Sequence, residues 1–436
     1  MNFLVMGSGA REHIIGEKLS QAGATVFSII TNSNPGLISL SEKVLSVNSF
    51  VSEENKIIDF TKENRIDCVV IGPEDPLAHG FSDLFWKKGF PVVGPLRSLA
   101  QIETSKGFTR DLLTKYNIDS SPLYKRFNSM SGAKEFIESL SGNYVVKFDG
   151  LMGGKGVKVS GEHLDSIEKG LDYCREIISR KGTFVIEEKL VGEEFSLMSF
   201  CDGKNLAHMP AIQDHKRAYD GDVGPNTGGM GCYSGSNHSL PFLNDSEISE
   251  AREINERVAK ALFDHTGEPY RGILYGGFMV TANGVKLIEY NARFGDPEAM
   301  NLLALLRTDL ASICNDIVEG NLTSVNFSKE ASVCKYIVPK GYGSNPAKDA
   351  TLVVDESYSK YSDLYYAAVN LEKDGTITTT SSRAAAIVST GNSINEAEER
   401  CERGLSFISG KNLFTRHDIG KAELIQKRIN HMESLR

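Results

Sequence analysis

Over its first hundred residues the chain alternates short apolar runs with helical patterns, and few architectures accept that order. Residues 3–6 read as a buried strand, 11–22 as a helix and 25–31 as a second strand, with later strands at 68–71 and 91–94. Parallel strands cannot be joined by tight turns; they need helical crossovers that cover both faces of the sheet. The pattern predicts an N-terminal, doubly wound parallel-sheet domain over residues 1–102. At 436 residues the chain exceeds what one hydrophobic core sustains, so further domains must follow. Ser98 to Gln101 has the form of a capping box opening a helix, and Ser105-Lys106 opens the next. From about 121 to 190, helices mix with hairpin strands at 144–148 and 157–160, which reads as a small lid inserted in a larger unit spanning 103–325. Residues 326–436 read as a small β-rich C-terminal domain, with the turn-heavy passage 339–348 inside it. The predicted class is a multidomain mixture of α/β and α+β.

Charge and cysteine usage narrow the function. A net charge of -9 and a pI near 5.6 argue against a nucleic-acid surface, so an anionic substrate needs local Lys/Arg clusters. Seven cysteines without any CxxC pair exclude a zinc ribbon and point to a reducing cytoplasm rather than a disulfide framework. The nine histidines form no HxH or HExxH pattern. The apolar run at the N-terminus is too short for a signal peptide or a membrane span.

The chemistry concentrates in loops. Glu289-Tyr-Asn291-Ala-Arg293-Phe-Gly295-Asp296-Pro297-Glu298 places a carboxylate and an amide two apart on a strand, where alternation gives them one face. A hard divalent cation carrying ATP phosphates needs such oxygens. Asp296-Pro297-Glu298 reads as a helix start with Asp296 as N-cap, and Arg293 stands between strand and helix where it can meet an anion. Gly7-Ser-Gly9-Ala-Arg11-Glu12 follows a strand and opens a helix, yet Glu12 occupies the third glycine position of a dinucleotide fingerprint and Thr31-Asn32 replaces its ribose-binding acid. That helix start still suits a phosphate-bearing ligand, with backbone amides and Arg11 as its partners. Glu74 leaves a later strand beside the same crevice. Gly150-Leu-Met-Gly153-Gly154-Lys155-Gly156 is no Walker loop, but its amides, with Lys155 and Lys147, suit a hairpin folding over polyphosphate. Glu187, Glu188 and Leu190 end a strand whose backbone can read an adenine edge, and Glu194 follows for a ribose. The long polar loop 213–231 carries Asp214, Lys216, Arg217 and Asn226 to Gly229, a mix that favours gripping a substrate.

Taken in order, GSGAREH, GPEDPLAHG, SKGFTRDLL, KFDGLMGGKGV, EEKLVGEE, QDHKRAYDGDVGPNTGGMG and EYNARFGDPE resemble the motifs of the phosphoribosylamine–glycine ligases (glycinamide ribonucleotide synthetases), a family of the ATP-grasp superfamily. Arg416-His-Asp418-Ile-Gly420 resembles the family's C-terminal end. The resemblance implies an ATP-grasp core over 103–325 with the lid as its inserted hairpin subdomain. It implies that Lys106 and Lys147 contact ATP phosphates under Gly153, Gly154, Lys155 and Gly156, that Glu187, Glu188 and Leu190 hold adenine, and that Glu194 holds the ribose. Glu289 and Asn291 would bind Mg²⁺ or Mn²⁺. Arg293, Asp214, Lys216, Arg217, Asn226, Thr227, Gly228 and Gly229 would surround glycine, and Gly9, Arg11, Glu12 and Glu74 would hold 5-phosphoribosylamine. The implied reaction joins glycine to that amine with ATP, through glycyl phosphate, in purine biosynthesis, with Arg293 and Lys147 as catalytic groups. Another ATP-grasp carboxylate–amine ligase or carboxylase is the nearest alternative, and a nicotinamide-dependent oxidoreductase built on the Gly7 turn the remote one. A monomer or weak homo-oligomer is expected, without nucleic acid or membrane. The chain departs from the family at Ala292, where Cys is usual, at Phe148, where Ala is usual, and at Ser381-Ser382, which replace a Gly-Gly pair before Arg383.

Overall fold

Five strands, every neighbouring pair parallel, form the N-terminal sheet that the alternating pattern predicts. The computed structural model describes residues 1–153 and 155–436. Asn2–Met6 lies at the centre of the sheet; Thr25–Ile30 and Lys43–Ser46 add on one side, Cys68–Ile71 and Val92–Val93 on the other. The strand order therefore reverses between Asn2–Met6 and Cys68–Ile71, and the loops carrying Gly9 and Glu74 leave either side of that switch point. Helix Arg97–Thr104 starts one residue before Ser98, which does not cap it. Its first amide, that of Arg97, is taken by the Asp83 carboxylate at 2.8 Å, a partner outside the predicted box. Helix Lys106–Lys115 begins as expected, with Ser105 accepting from the Phe108 amide at 3.0 Å.

The next segment is an antiparallel sheet in the order Tyr124–Phe127, Phe184–Glu188, Tyr144–Phe148, Val157–Val159. It has a core of its own, built on Phe127, Ile137, Tyr144, Val146, Leu171 and Phe184. A second antiparallel sheet follows, ordered Leu206–His208, Gly192–Asp202, Arg271–Thr281, Gly284–Asn291, with the helix Asp245–Thr266 packed on it. The segment 213–231 is more ordered than a loop. At its ends, Gln213–Asp214 is the edge strand of the C-terminal sheet and Gly231–Ser234 the strand beside it, and the sheet continues through Ala331–Pro339, Ala385–Gly391 and Asp363–Tyr366. Between them Arg217–Tyr219 and Val223–Asn226 pair as a hairpin. No helix among the described residues is long and apolar enough to cross a membrane.

Candidate active site

The strand Gly284–Asn291 carries the paired oxygens, and it does so through an irregularity. Simple alternation from Val285 and Leu287, both fully buried, would send Glu289 into the same core. The register slips instead: Phe278 faces Leu287 and Gly277 faces Glu289, leaving Ile288 as an extra residue. A bulge of this kind inverts the phase of the strand beyond it. Tyr290 takes the core side at 2 % exposure, and Glu289 and Asn291 share the opposite one. Burial works against ionisation of Glu289, but Lys106, Lys216, Lys147 and Arg293 surround it and bring its carboxyl below the usual range.

The expected ATP contacts meet this strand from both sides. Lys147 Nζ donates to the Ile288 carbonyl at 3.0 Å and pairs with Glu187 at 2.7 Å. Glu187 also takes a bidentate contact from Arg110 at 2.7 and 3.0 Å, and the two cations outweigh burial to hold its carboxyl at about 2. That carboxylate is thus engaged, and what this stretch offers a base is main chain. Lys106 Nζ reaches the Gly150 carbonyl of the hairpin at 3.2 Å. Asp149, at the hairpin's root, accepts from the Ser105 hydroxyl (2.9 Å) and the Gly107 amide (3.1 Å) and pairs with Arg126 (2.9 Å), which ties the hairpin to the Lys106 helix. Gly153 and Lys155 are exposed at the tip, Gly156 is buried, and Gly154 lies outside the described residues. Glu188 accepts from the Leu123 amide at 2.9 Å, Leu190 is half-buried, and Glu194 pairs with Lys216 at 2.7 Å.

Arg293 joins this site to the N-terminal loops. Its guanidinium pairs with Glu103 at 2.9 Å and Glu74 at 3.4 Å, and donates to Asn291 Oδ1 at 3.4 Å. Burial opposes ionisation of Glu74, but Arg293 and Arg11 prevail and bring it down to about 2. Arg11 turns inward, pairing with Glu12 at 2.6 Å and donating to the Phe294 carbonyl at 3.0 Å. Glu12 in turn accepts from the Gly9 amide at 2.6 Å. Its side chain fills the space beneath the turn: a Cβ on Gly7 would lie 2.5 Å from Glu12 Cγ, and one on Gly72 would lie 2.1 Å from Glu12 Oε1. This explains why glutamate stands where a dinucleotide fingerprint needs glycine.

The 213–231 segment closes the remaining side. Asp214 lies near Lys216, Glu298, Glu194 and Glu289 and accepts no hydrogen bond from a described residue; its carboxyl is pushed up to about 7, first by burial. Thr227 returns to the Lys216 carbonyl through both its amide (2.7 Å) and its hydroxyl (2.8 Å), and Gly229 donates to the Thr227 hydroxyl (3.1 Å). Arg217 leaves this group: it pairs with Glu162 of the lid and donates to the Gly224 carbonyl, while Asn226 is its register partner in the hairpin. The helix after the motif runs Glu298–Leu305 with Pro297, not Asp296, at its N-cap. Asp296 is drawn off by stronger partners, the Tyr336 hydroxyl at 2.5 Å and Arg383 at 3.0 Å.

A family model described as phosphoribosylglycinamide synthetase, ATP-grasp (A) domain, matches residues 104–299; the N and C domains of the same synthetase match 1–103 and 332–422. The phosphoribosylamine–glycine ligase of Methanosarcina acetivorans is 46% identical over 440 residues, covering 100% of this chain and 98% of its own; that of Methanothermobacter thermautotrophicus is 47% identical over 444 residues, covering 100% of both. The chain belongs to the phosphoribosylamine–glycine ligase family. The crystal structure of the Thermotoga maritima phosphoribosylamine–glycine ligase superposes with a TM-score of 0.81 at 27% identity, covering 96% of this chain and all of that one. A biotin carboxylase domain from Hydrogenobacter thermophilus shares the fold at 14% identity, with a TM-score of 0.72 over 99% of this chain and 93% of its own.

Against that family's pattern the three departures have simple surroundings. Ala292 is buried and its amide donates to Glu103 at 2.8 Å. The Phe148 ring lies where a Cβ on Gly150 (2.5 Å) or Gly182 (2.8 Å) would have to go, so it packs the hairpin root. Arg383, kept after the two serines, donates to the carbonyls of Gly228 (2.7 Å), Gly229 (3.2 Å) and Asp296 (2.8 Å) while stacking over Tyr336 at 4.4 Å. Neither Arg383 nor Glu103 stands out as a site residue from sequence alone. Arg110 is equally inconspicuous there; its one available signal is its place four residues after Lys106, on the same helix face.

Proposed function

We propose that this chain ligates glycine to 5-phosphoribosylamine, converting ATP to ADP and phosphate, as a free enzyme of the cytoplasm acting on small molecules in purine biosynthesis. The observation that carries the reading is the convergence of Glu289 and Asn291 with Lys106, Lys147, Lys216 and Arg293 at one junction of the N-terminal loops, both antiparallel sheets and the 213–231 segment. A carboxylate is a poor electrophile, so it must be activated. Glycine's carboxylate oxygen attacks the γ-phosphorus, the bond to the β-bridging oxygen breaks, and glycyl phosphate and ADP result. The amine of phosphoribosylamine then attacks the acyl carbon; phosphate departs and the nitrogen loses a proton. No protein nucleophile is needed, and catalysis is positioning plus charge neutralisation.

In this reading Lys106 and Lys147 offset the charge on the transferring phosphoryl group. Arg293 orients glycine's carboxylate, and Asp214 with Lys216 flanks the amino acid. The main chain of 188–190 reads the base and Glu194 the ribose. The Gly9 turn with Arg11, Glu12 and Glu74 receives phosphoribosylamine, and the 149–156 hairpin excludes water from the acyl phosphate. Glu289 and Asn291 would hold Mg²⁺ or Mn²⁺: both donors are oxygens, as a hard divalent cation requires. The cation would neutralise phosphate charge.

The test measures ADP release with ATP, Mg²⁺, glycine and phosphoribosylamine made in situ from ribose 5-phosphate and ammonia, omitting each in turn and weighing the product. Turnover that needs both glycine and the amine, with the mass of glycinamide ribonucleotide, is expected. ADP release driven by bicarbonate or formate instead would overturn the substrate. Glu289→Ala should lower kcat by about 100-fold or more; a wild-type maximal rate at ordinary Mg²⁺ would remove the metal assignment.

A further inference from the structure

The carboxylate at 289 reaches the site only because the strand slips at Ile288. An extra residue in a ladder has no cross-strand partner to hold it, so something else must. The Ile288 carbonyl accepts from two buried cations, Arg110 Nη2 at 2.8 Å and Lys147 Nζ at 3.0 Å. Lys147 stands on the lid strand, which is expected to move with the hairpin, whereas Arg110 stands on the helix Lys106–Lys115 beside the strand itself. Arg110 is held rigidly: its side chain is 2 % exposed, and its Nε and Nη2 donate to the two oxygens of Glu187. Its Nη1 has no protein partner among the described residues, and the side chain lines a small cavity shared with Glu103, Lys106 and Glu289.

We infer that Arg110 is a positioning residue for the metal-binding carboxylate: by pinning the bulge at Ile288 it keeps Glu289 and Asn291 turned out of the core and toward ATP. It does not touch the reacting atoms. A lysine at 110 keeps the charge beside Glu187 but lacks the planar fork that serves Glu187 and Ile288 together. The inference rests on the ligase reading for the role of Glu289 and Asn291.

The test compares Arg110→Met and Arg110→Lys with the parent full-length chain by three measurements. Hydrogen exchange of the peptide 284–291 is followed in protein free of metal and nucleotide. Mg²⁺–ATP binding is measured calorimetrically, and the half-activating Mg²⁺ concentration is measured at saturating ATP. Exchange in 284–291 should quicken about fivefold or more while residues 2–6 keep their protection. Half-activating Mg²⁺ should rise about tenfold in both variants, with the KM for phosphoribosylamine within about twofold of the parent. Should the methionine variant fail to fold, the lysine variant alone decides. Parent-like exchange, or parent-like Mg²⁺ dependence, in the folded lysine variant would overturn the inference, because charge beside Glu187 would then suffice. Exchange and Mg²⁺–ATP binding need no glycine, so a parent that binds Mg²⁺–ATP but uses another acid would sink the substrate and leave this inference standing.

Discussion

Asp214 shows how one half-buried side chain among charged neighbours would set a pH dependence. Burial raises its carboxyl, Lys216 resists, and Glu298, Glu194 and Glu289 push it further, to about 7. Below that value it is neutral; above it, it carries the charge that would attract glycine's ammonium. We expect kcat/KM for glycine to climb about tenfold between pH 6 and 8. Asp214→Asn should lower it and flatten that rise, and a variant with the parent's profile would exclude Asp214 as its source. Stability carries the opposite sign. Between about pH 4 and 7 the unfolded chain ionises this group first, so the folded state loses stability as pH rises through that window, and the asparagine variant lacks that slope.

At the scale of elements, the lid and the 213–231 hairpin share one ionic contact among the described residues. Glu162 pairs with Arg217 across them, with Lys189 at 3.5 Å as a weaker second partner. The Arg217 and Glu162 side chains are 28% and 39% exposed, so solvent screens the pair and it contributes well under about 1 kcal/mol. A contact of that size would tune a lid equilibrium rather than decide it. Glu162→Gln should therefore speed proteolysis of the 149–156 hairpin by no more than about fivefold, with ATP protecting both forms. Unchanged cleavage would mean that the contact does not hold the lid. The hairpin root is secured differently: the Asp149 side chain is 1% exposed, and Ser105, Gly107, Thr183 and Arg126 all donate to it, which fixes the root.

Across the whole molecule, the last third of the chain is wedded to the first. The Asn34 amide donates to the carbonyls of Ser8 (2.9 Å), Tyr366 (2.7 Å) and Ala367 (3.1 Å), and His13 accepts from the Tyr366 amide at 3.0 Å. Gly36 is what leaves room for the His13 ring, since a Cβ there would lie 1.9 Å from it. Burial brings the His13 imidazole down to about 4, so it stays neutral in the folded state. The unfolded chain protonates it below about pH 6.5, so folding loses stability as pH falls from there toward 4, by about 2 kcal/mol at pH 5. Urea midpoints should thus drop less between pH 7 and 5 in His13→Gln than in the parent. Equal drops would place that sensitivity elsewhere, with His215 the other buried imidazole available, brought by burial to about 3.

What the sequence determined by itself is local chemistry. Crossover spacing predicted the parallel order of the first sheet, and the Glu289–Asn291 pair, the lysines and the glycine turns marked out segments that the structure brings together. These features rest on periodicity and on neighbours within a turn or two, which a single chain displays. What only the tertiary structure decided is which partner each charge takes and which way the key strand faces. Asp296 resembles an N-cap until Arg383, 87 residues away, arrives at its carboxylate and its carbonyl. Nothing in the sequence names Glu162 of the lid as the partner of Arg217, and Glu103 acquires meaning only beside Arg293 and the Ala292 amide, 189 residues on. Period-two alternation correctly pairs Glu289 with Asn291, yet carried back to Val285 it would bury the Glu289 carboxylate. The slip at Ile288 is set by cross-strand register and by the cations that receive its carbonyl, and register is a property of two strands, never of one.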